Sequence, residues 1–190
     1  MMMTKADLRK KYLMKRQQLA PGQLQHFSEQ ICDLVFTHFQ LEDKCVSLFL
    51  PIERQHEINT YRIWEKAVEF GAKVAVPRSN FDTMEMKHIL FESEDQLELS
   101  SWGIPEPKKG KVVAPDRFDI VFVPLLTADK KGHRVGYGKG FYDRFLKKCA
   151  PNCQFIGLHL FDLESKIDDV HPADVRLNAC ITPKGLFRFE

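Results

Sequence analysis

The chain has 190 residues, 44% hydrophobic and 28% charged, which suits a globular domain with a substantial core and argues against disorder. Its 28 basic and 26 acidic residues leave a net charge of +2, too balanced for binding nucleic acid by bulk charge. Five cysteines without CxxC spacing argue against a disulfide framework or a zinc site, and most are expected to be small core thiols.

Lys5 to Leu19 reads as a basic helix with no signal-peptide apolar core. Pro21 opens a second helix, whose Leu24, Phe27, Ile31, Leu34, Val35 and Phe39 recur at helical spacing. Cys45 to Leu50 predicts a strand stopped by Pro51, and Thr60 to Phe70 a helix stopped by Gly71. Lys73 to Val76 and Met84 to Phe91 are further strands, and Leu99 to Pro115, rich in Gly and Pro, reads as loop. Asp119 to Val123 is the clearest buried strand. Phe141 to Cys149 predicts a helix, and Phe155 to Leu160 and Ala179 to Thr182 the last strands. Strands alternating with helices predict an α/β domain around a mostly parallel sheet, with residues 1–190 as one domain. No apolar run approaches the ~20 residues needed to cross a bilayer, so no membrane association and a cytoplasmic location are expected.

The chemistry concentrates in Arg134-Val135-Gly136-Tyr137-Gly138-Lys139-Gly140-Phe141-Tyr142-Asp143. Three alternating glycines before a helix suit a phosphate cradle, since glycine permits close backbone approach and a helix start offers free N–H groups. The run is neither a Walker loop nor a dinucleotide fingerprint, because GxxxxGK[ST] is absent and Phe141 stands where GxGxxG needs glycine. On pattern alone it could equally be a tight turn. Asp143, on pattern alone, reads first as a first-turn acid pairing with Lys147 and only second as a metal ligand.

The stretch Val123-Pro124-Leu125, Asp129 and Gly132 to Asp143 resembles the signature of the 5-formyltetrahydrofolate cyclo-ligase family, also called methenyltetrahydrofolate synthetase. Lys5-Ala6-Asp7-Leu8-Arg9, Trp102-Gly103-Ile104-Pro105-Glu106-Pro107 and Asp174 extend the resemblance in family order. It implies a three-layer α/β/α architecture like that of CoA transferases and sugar-phosphate isomerases. It also implies an ATP- and Mg²⁺-dependent closure of 5-formyltetrahydrofolate to 5,10-methenyltetrahydrofolate through an iminophosphate.

Residue by residue, the resemblance assigns ATP binding to Lys5, Arg9, Arg134, Gly136, Tyr137, Gly138, Lys139, Gly140, Phe141 and Tyr142. It assigns catalysis to Arg134, Lys139 and Asp143, and Mg²⁺ to Asp143 and Asp174. Leu50, Glu57, Trp102, Tyr137 and Tyr142 would meet the substrate. An insertion of about two residues between Leu50 and Glu57 leaves Glu53 as a rival for Glu57. Trp102 reads equally as a stacking surface or a core residue. His133 reads as a surface histidine beside lysines, and Arg78 is a candidate for the folate tail. The implied partners are ATP and a reduced folate, with or without a polyglutamate tail, bound by a monomer. Two other classes stay open on architecture alone: a sugar-phosphate isomerase or CoA-transferase-like enzyme, and a non-catalytic folate or nucleotide binder.

Overall fold

The computed structural model describes residues 3–190. Helix α1 spans Lys5–Gln17, with the Thr4 hydroxyl accepting the Asp7 N–H at its start, and α2 spans Pro21–His38. Strand β1 (Cys45–Ser47) leads through a short turn, Glu53–Gln55, to α3 (Tyr61–Glu69). There follow β2 (Lys73–Asn80), β3 (Glu85–Leu90), β4 (Leu97–Leu99), β5 (Pro105–Pro107), β6 (Val112–Val113) and β7 (Ile120–Pro124). Strands β8 (Thr127–Ala128) and β9 (Arg134–Val135) form a hairpin before α4 (Phe141–Leu146). Strands β10 (Gln154–Leu158), β11 (Ala179–Thr182) and β12 (Gly185–Arg188) close the chain.

Eight strands form one sheet in the order β12-β11-β10-β7-β1-β2-β3-β6. The five central strands are parallel; β12 and β3 pair antiparallel on either side of them, and β6 pairs antiparallel with β3 at the sheet edge. Side-chain alternation splits the core. Val46, Ile120, Phe122, Ile156 and Leu158 pack with α2 and α3 residues such as Ile31, Val35, Ile63 and Ala67. Val121 and Val123 pack with Phe145 and Leu146 of α4 in a second cluster. Strands with both faces covered need apolar residues on both, which is why these segments read as nearly continuous hydrophobic runs. The three-layer, mostly parallel α/β architecture is therefore present. Leu8 and Tyr12 of α1 pack separately, on Leu126, Val135 and Ile167.

Several segments differ from the sequence reading. Strand β1 ends at Ser47 rather than Leu50, because after the Leu48 N–H donates to the Ala75 carbonyl at 3.0 Å the chain leaves β2 and the Thr60 hydroxyl takes the Phe49 carbonyl at 2.5 Å. Strand β2 runs through Pro77, since β1 pairs with it only as far as Ala75 and a proline is tolerated where one neighbour is missing. The expected Leu99–Pro115 loop holds the β4–β5 pair and β6, as proline-rich chain favours extended backbone. Helix α4 stops at Leu146, short of Cys149 and ahead of Pro151. All five cysteines are free, with Cys32, Cys153 and Cys180 buried. Among the described residues no helix is long and apolar enough to cross a membrane.

Strand order reverses direction between β1 and β7, since β1 continues outward to β2 and β7 to β10 on the other side. Such a switch point leaves a crevice at the carboxyl ends of the strands. Phe49 and Leu50 after β1, Pro77 in β2 and Pro124 ending β7 line a cleft there.

Candidate active site

The cleft encloses about 460 Å³, a volume in the range of small-molecule sites. Its wall gathers residues distant in sequence: Lys5 and Arg9 from α1, Leu50, Arg54 and Glu57, Phe81, Trp102, the whole run Gly136 to Asp143 with Arg134, and Asp174. Every residue to which the resemblance assigns ATP, Mg²⁺, catalysis or substrate contact lines it.

Arg9 organises the glycine loop. Its Nε donates to the Gly136 carbonyl at 2.8 Å, and its guanidinium lies 3.3 Å from where a Cβ on Gly138 would sit. Gly138 and Gly140 have positive φ, +91° and +69°, so both occupy backbone territory that glycine enters without strain. Gly136 has no such requirement, and a Cβ there would meet open space. The loop is braced from behind by Arg144, whose Nη2 donates to the Lys139 carbonyl at 2.7 Å and whose Nε donates to Met84 at 2.8 Å.

Two ion pairs sit beside the loop. Arg134 donates to Asp143 Oδ1 at 2.7 Å, and the Val175 N–H reaches the same oxygen at 3.0 Å. Arg134 also donates to the Val175 carbonyl. Asp143 thus pairs with Arg134 rather than with Lys147 one turn along. Lys5 pairs with Asp174, which also accepts the His171 N–H at 2.7 Å. Burial alone would raise the Asp174 pKa, but Lys5 and the His171 amide outweigh it, and the carboxyl is held below its ordinary range. Asp143 and Asp174 fit a hard, oxygen-preferring cation such as Mg²⁺. No set of three or more His, Cys, Asp or Glu is gathered for a metal among the described residues. A cation here would draw its other ligands from phosphate oxygens and water, the usual Mg²⁺ arrangement at nucleotide sites.

Glu57 lines the cleft beside the glycine loop, 5% exposed. Tyr137 donates its hydroxyl to Oε1 at 2.6 Å, and the Ile52 N–H donates to Oε2 at 2.9 Å. Arg16 lies 3.8 Å from Oε1 and donates to the Tyr137 oxygen at 3.0 Å. Burial raises the Glu57 pKa, opposed by the Arg16 charge and the two hydrogen bonds. The insertion forms the Glu53–Gln55 turn and ends at His56 in the left-handed region, φ 47°. Glu57 thereby faces the cleft, while Glu53 is exposed and outside its wall.

An aromatic wall faces the loop. Trp102 is 48% exposed, so the core reading fails: its ring stacks on Phe81 at 4.9 Å, and Phe81 meets Phe141 edge-on at 5.1 Å. Arg54, from the inserted turn, donates to the Trp102 carbonyl. The Tyr142 hydroxyl is buried without a hydrogen-bond partner among the described residues, and burial pushes its pKa up.

Arg78 does not line the cleft; it donates to the Lys108 carbonyl at 2.7 Å. His133 is no free surface group, since its Nδ1 sits 3.1 Å from the buried Asp129. Sequence reading passed over Arg16, Arg54 and Phe81. Only Arg16 left a signal: it falls i+4 after Tyr12 and i+8 after Leu8, on the buried stripe of α1.

A sequence model described as the 5-formyltetrahydrofolate cyclo-ligase family matches residues 1–183. The 5-formyltetrahydrofolate cyclo-ligase of Mus musculus is 32% identical over 126 residues, covering 62% of this chain and 61% of the mouse sequence. That of Escherichia coli strain K12 is 27% identical over 181 residues, covering 92% of this chain and 98% of the bacterial one. The solved 5,10-methenyltetrahydrofolate synthetase of Aquifex aeolicus superposes with a TM-score of 0.84 at 26% identity, covering 98% of this chain and 93% of that one.

Proposed function

Because the chain belongs to the 5-formyltetrahydrofolate cyclo-ligase family, we propose that it closes 5-formyltetrahydrofolate to 5,10-methenyltetrahydrofolate at the expense of ATP, within one domain of residues 1–190. The observation that carries this reading is the cleft itself. It gathers four cations, Lys5, Arg9, Arg134 and Lys139, two acids, Asp143 and Asp174, and a buried carboxylate, Glu57, around one cavity. A cationic, glycine-rich end suits a triphosphate. A buried carboxylate suits the N–H edge of a pterin-like ring, and exposed Trp102 suits its flat faces. An isomerase of the same architecture would need no such pairing of ends.

In this reading the formyl oxygen attacks the γ-phosphorus, the β,γ-bridging bond breaks and ADP leaves. Nitrogen 10 of the same folate then attacks the activated carbon and loses its proton. The carbon–oxygen bond breaks, and phosphate carries the former formyl oxygen away. The protein forms no covalent bond: its work is to align oxygen and phosphorus and to balance charge. Lys5, Arg9, Arg134 and Lys139 would face the phosphates, and Glu57, Leu50, Trp102, Tyr137 and Tyr142 the folate. Asp143 and Asp174 would hold Mg²⁺, which neutralises phosphate charge when bound. Arg134, tied to Asp143, would keep that carboxylate aimed.

Mixing the purified protein with 5-formyltetrahydrofolate, ATP and Mg²⁺ and following near-ultraviolet absorbance tests the reading. The methenyl product should appear, and omitting ATP or Mg²⁺ should stop it. Product formation without ATP would overturn the proposal, as would ligand binding with no product.

A further inference from the structure

Arg16 is 2% exposed, although a solvated helix would carry an arginine at no desolvation cost. It continues the Leu8 and Tyr12 stripe of α1, where an apolar residue would pack without burying a charge. Its Nη2 donates to the Leu125 carbonyl at 2.5 Å, its Nη1 to the Tyr137 hydroxyl oxygen at 3.0 Å, and its Nε finds no protein partner. Tyr137 in turn donates its hydroxyl hydrogen bond to Glu57 Oε1 at 2.6 Å. The His56 ring also meets the Arg16 carbonyl at 3.0 Å, so the inserted turn is seated on the same residue.

We infer that Arg16 is a positioning residue for the folate subsite: through Tyr137 and directly, it fixes the Glu57 carboxylate that takes the pterin edge. The inference rests on the folate reading of Glu57 given above. The chain of contacts Arg16–Tyr137–Glu57 leaves each Glu57 oxygen with one protein donor and further lone pairs free for a ligand. Groups facing Glu57 come from four places: Arg16 of α1, Tyr137 of the glycine loop, Tyr142 of α4 and the Ile52 amide. Burial holds both tyrosines neutral, so among the described residues Arg16 is the cation that balances Glu57.

The test uses the wild-type protein, shown first to turn over 5-formyltetrahydrofolate; inactivity there would sink the folate reading, and with it this inference, at once. In active protein, Arg16→Met should raise KM for the folate at least tenfold while KM for ATP stays within about twofold. The acid limb of kcat/KM for the folate should move to higher pH, because Glu57 loses its counter-charge. Arg16→Lys should restore part of both. If Arg16→Met does not fold, Arg16→Lys and Tyr137→Phe carry the same comparison. The deciding measurement combines Arg16→Lys with Glu57→Gln. If Arg16 acts through Glu57, the double variant should bind folate no worse than Glu57→Gln alone. Additive losses would overturn the inference. Equal rises in both KM values, or an unmoved pH limb, would do the same and leave Arg16 a structural residue only.

Discussion

Asp143 and Lys147 stand four residues apart, the spacing of a helical ion pair, yet the carboxylate turns to Arg134, nine residues back. That choice is set by the β9–α4 connection, which no local pattern specifies. Arg134→Ala and Asp143→Ala should each lower turnover by about 10²- to 10³-fold, the loss typical of removing one charge-stabilising group. Circular dichroism should show both folded, and near-normal activity in either would refute its role. Glu57 shows the same limit of local reading. Its neighbour Glu53 has the same chemistry, and only the left-handed turn at His56 decides which one enters the cleft. Arg16 was the costliest omission, because a lysine- and arginine-rich helix hides one buried cation among its solvated ones.

At the scale of elements, the glycine loop makes a sharp internal contrast. Gly138 has φ +91° and the Arg9 guanidinium 3.3 Å from a would-be Cβ, whereas Gly136 faces open space. Gly138→Ala should cost about 1–2 kcal/mol from left-handed strain, lowering Tm by roughly 2–8 °C for a chain this size. Gly136→Ala should leave Tm unchanged, and equal shifts in a thermal melt would contradict the assigned loop conformation. Long apolar runs and helical spacing made α2, α3, β7 and β11 legible, with bounds close to those expected. The two-residue strands β6, β8 and β9 and the edge strand β12 carried too few residues for periodicity to register. The β8–β9 hairpin is shaped instead by buried Asp129, whose Oδ1 accepts the Lys131 and His133 N–H groups at 2.9 and 3.0 Å.

Across the whole molecule, two buried histidines contribute to the response to acid. His88 packs on Phe145 at 4.0 Å with neither ring nitrogen bonded, and burial pushes its pKa down to about 3. His159, against Tyr12 and Phe161, is likewise pushed down to about 3 by burial and by Arg16. A depressed pKa means the folded state binds fewer protons than the unfolded one. Their contribution is therefore whole above the ordinary histidine pKa, about 6.5, and lost as pH falls toward 3. Urea midpoints should decline across that window, and His88→Leu should flatten the decline while raising the midpoint at neutral pH, since no hydrogen bond is lost. A midpoint indifferent to pH would contradict the buried, neutral state of both. The α/β class was legible because strand and helix signals alternate, and the site because its motif is long; the order of the strands, and hence the switch point that brings Lys5, Glu57, Trp102 and Asp143 together, was not. The proposed reaction requires one oxygen atom to meet one phosphorus atom in that cleft. Folate labelled with ¹⁸O in its formyl group should yield inorganic phosphate carrying the label, one atom per product formed. Label released into water, with unlabelled phosphate, would mean that ATP does not activate the formyl group.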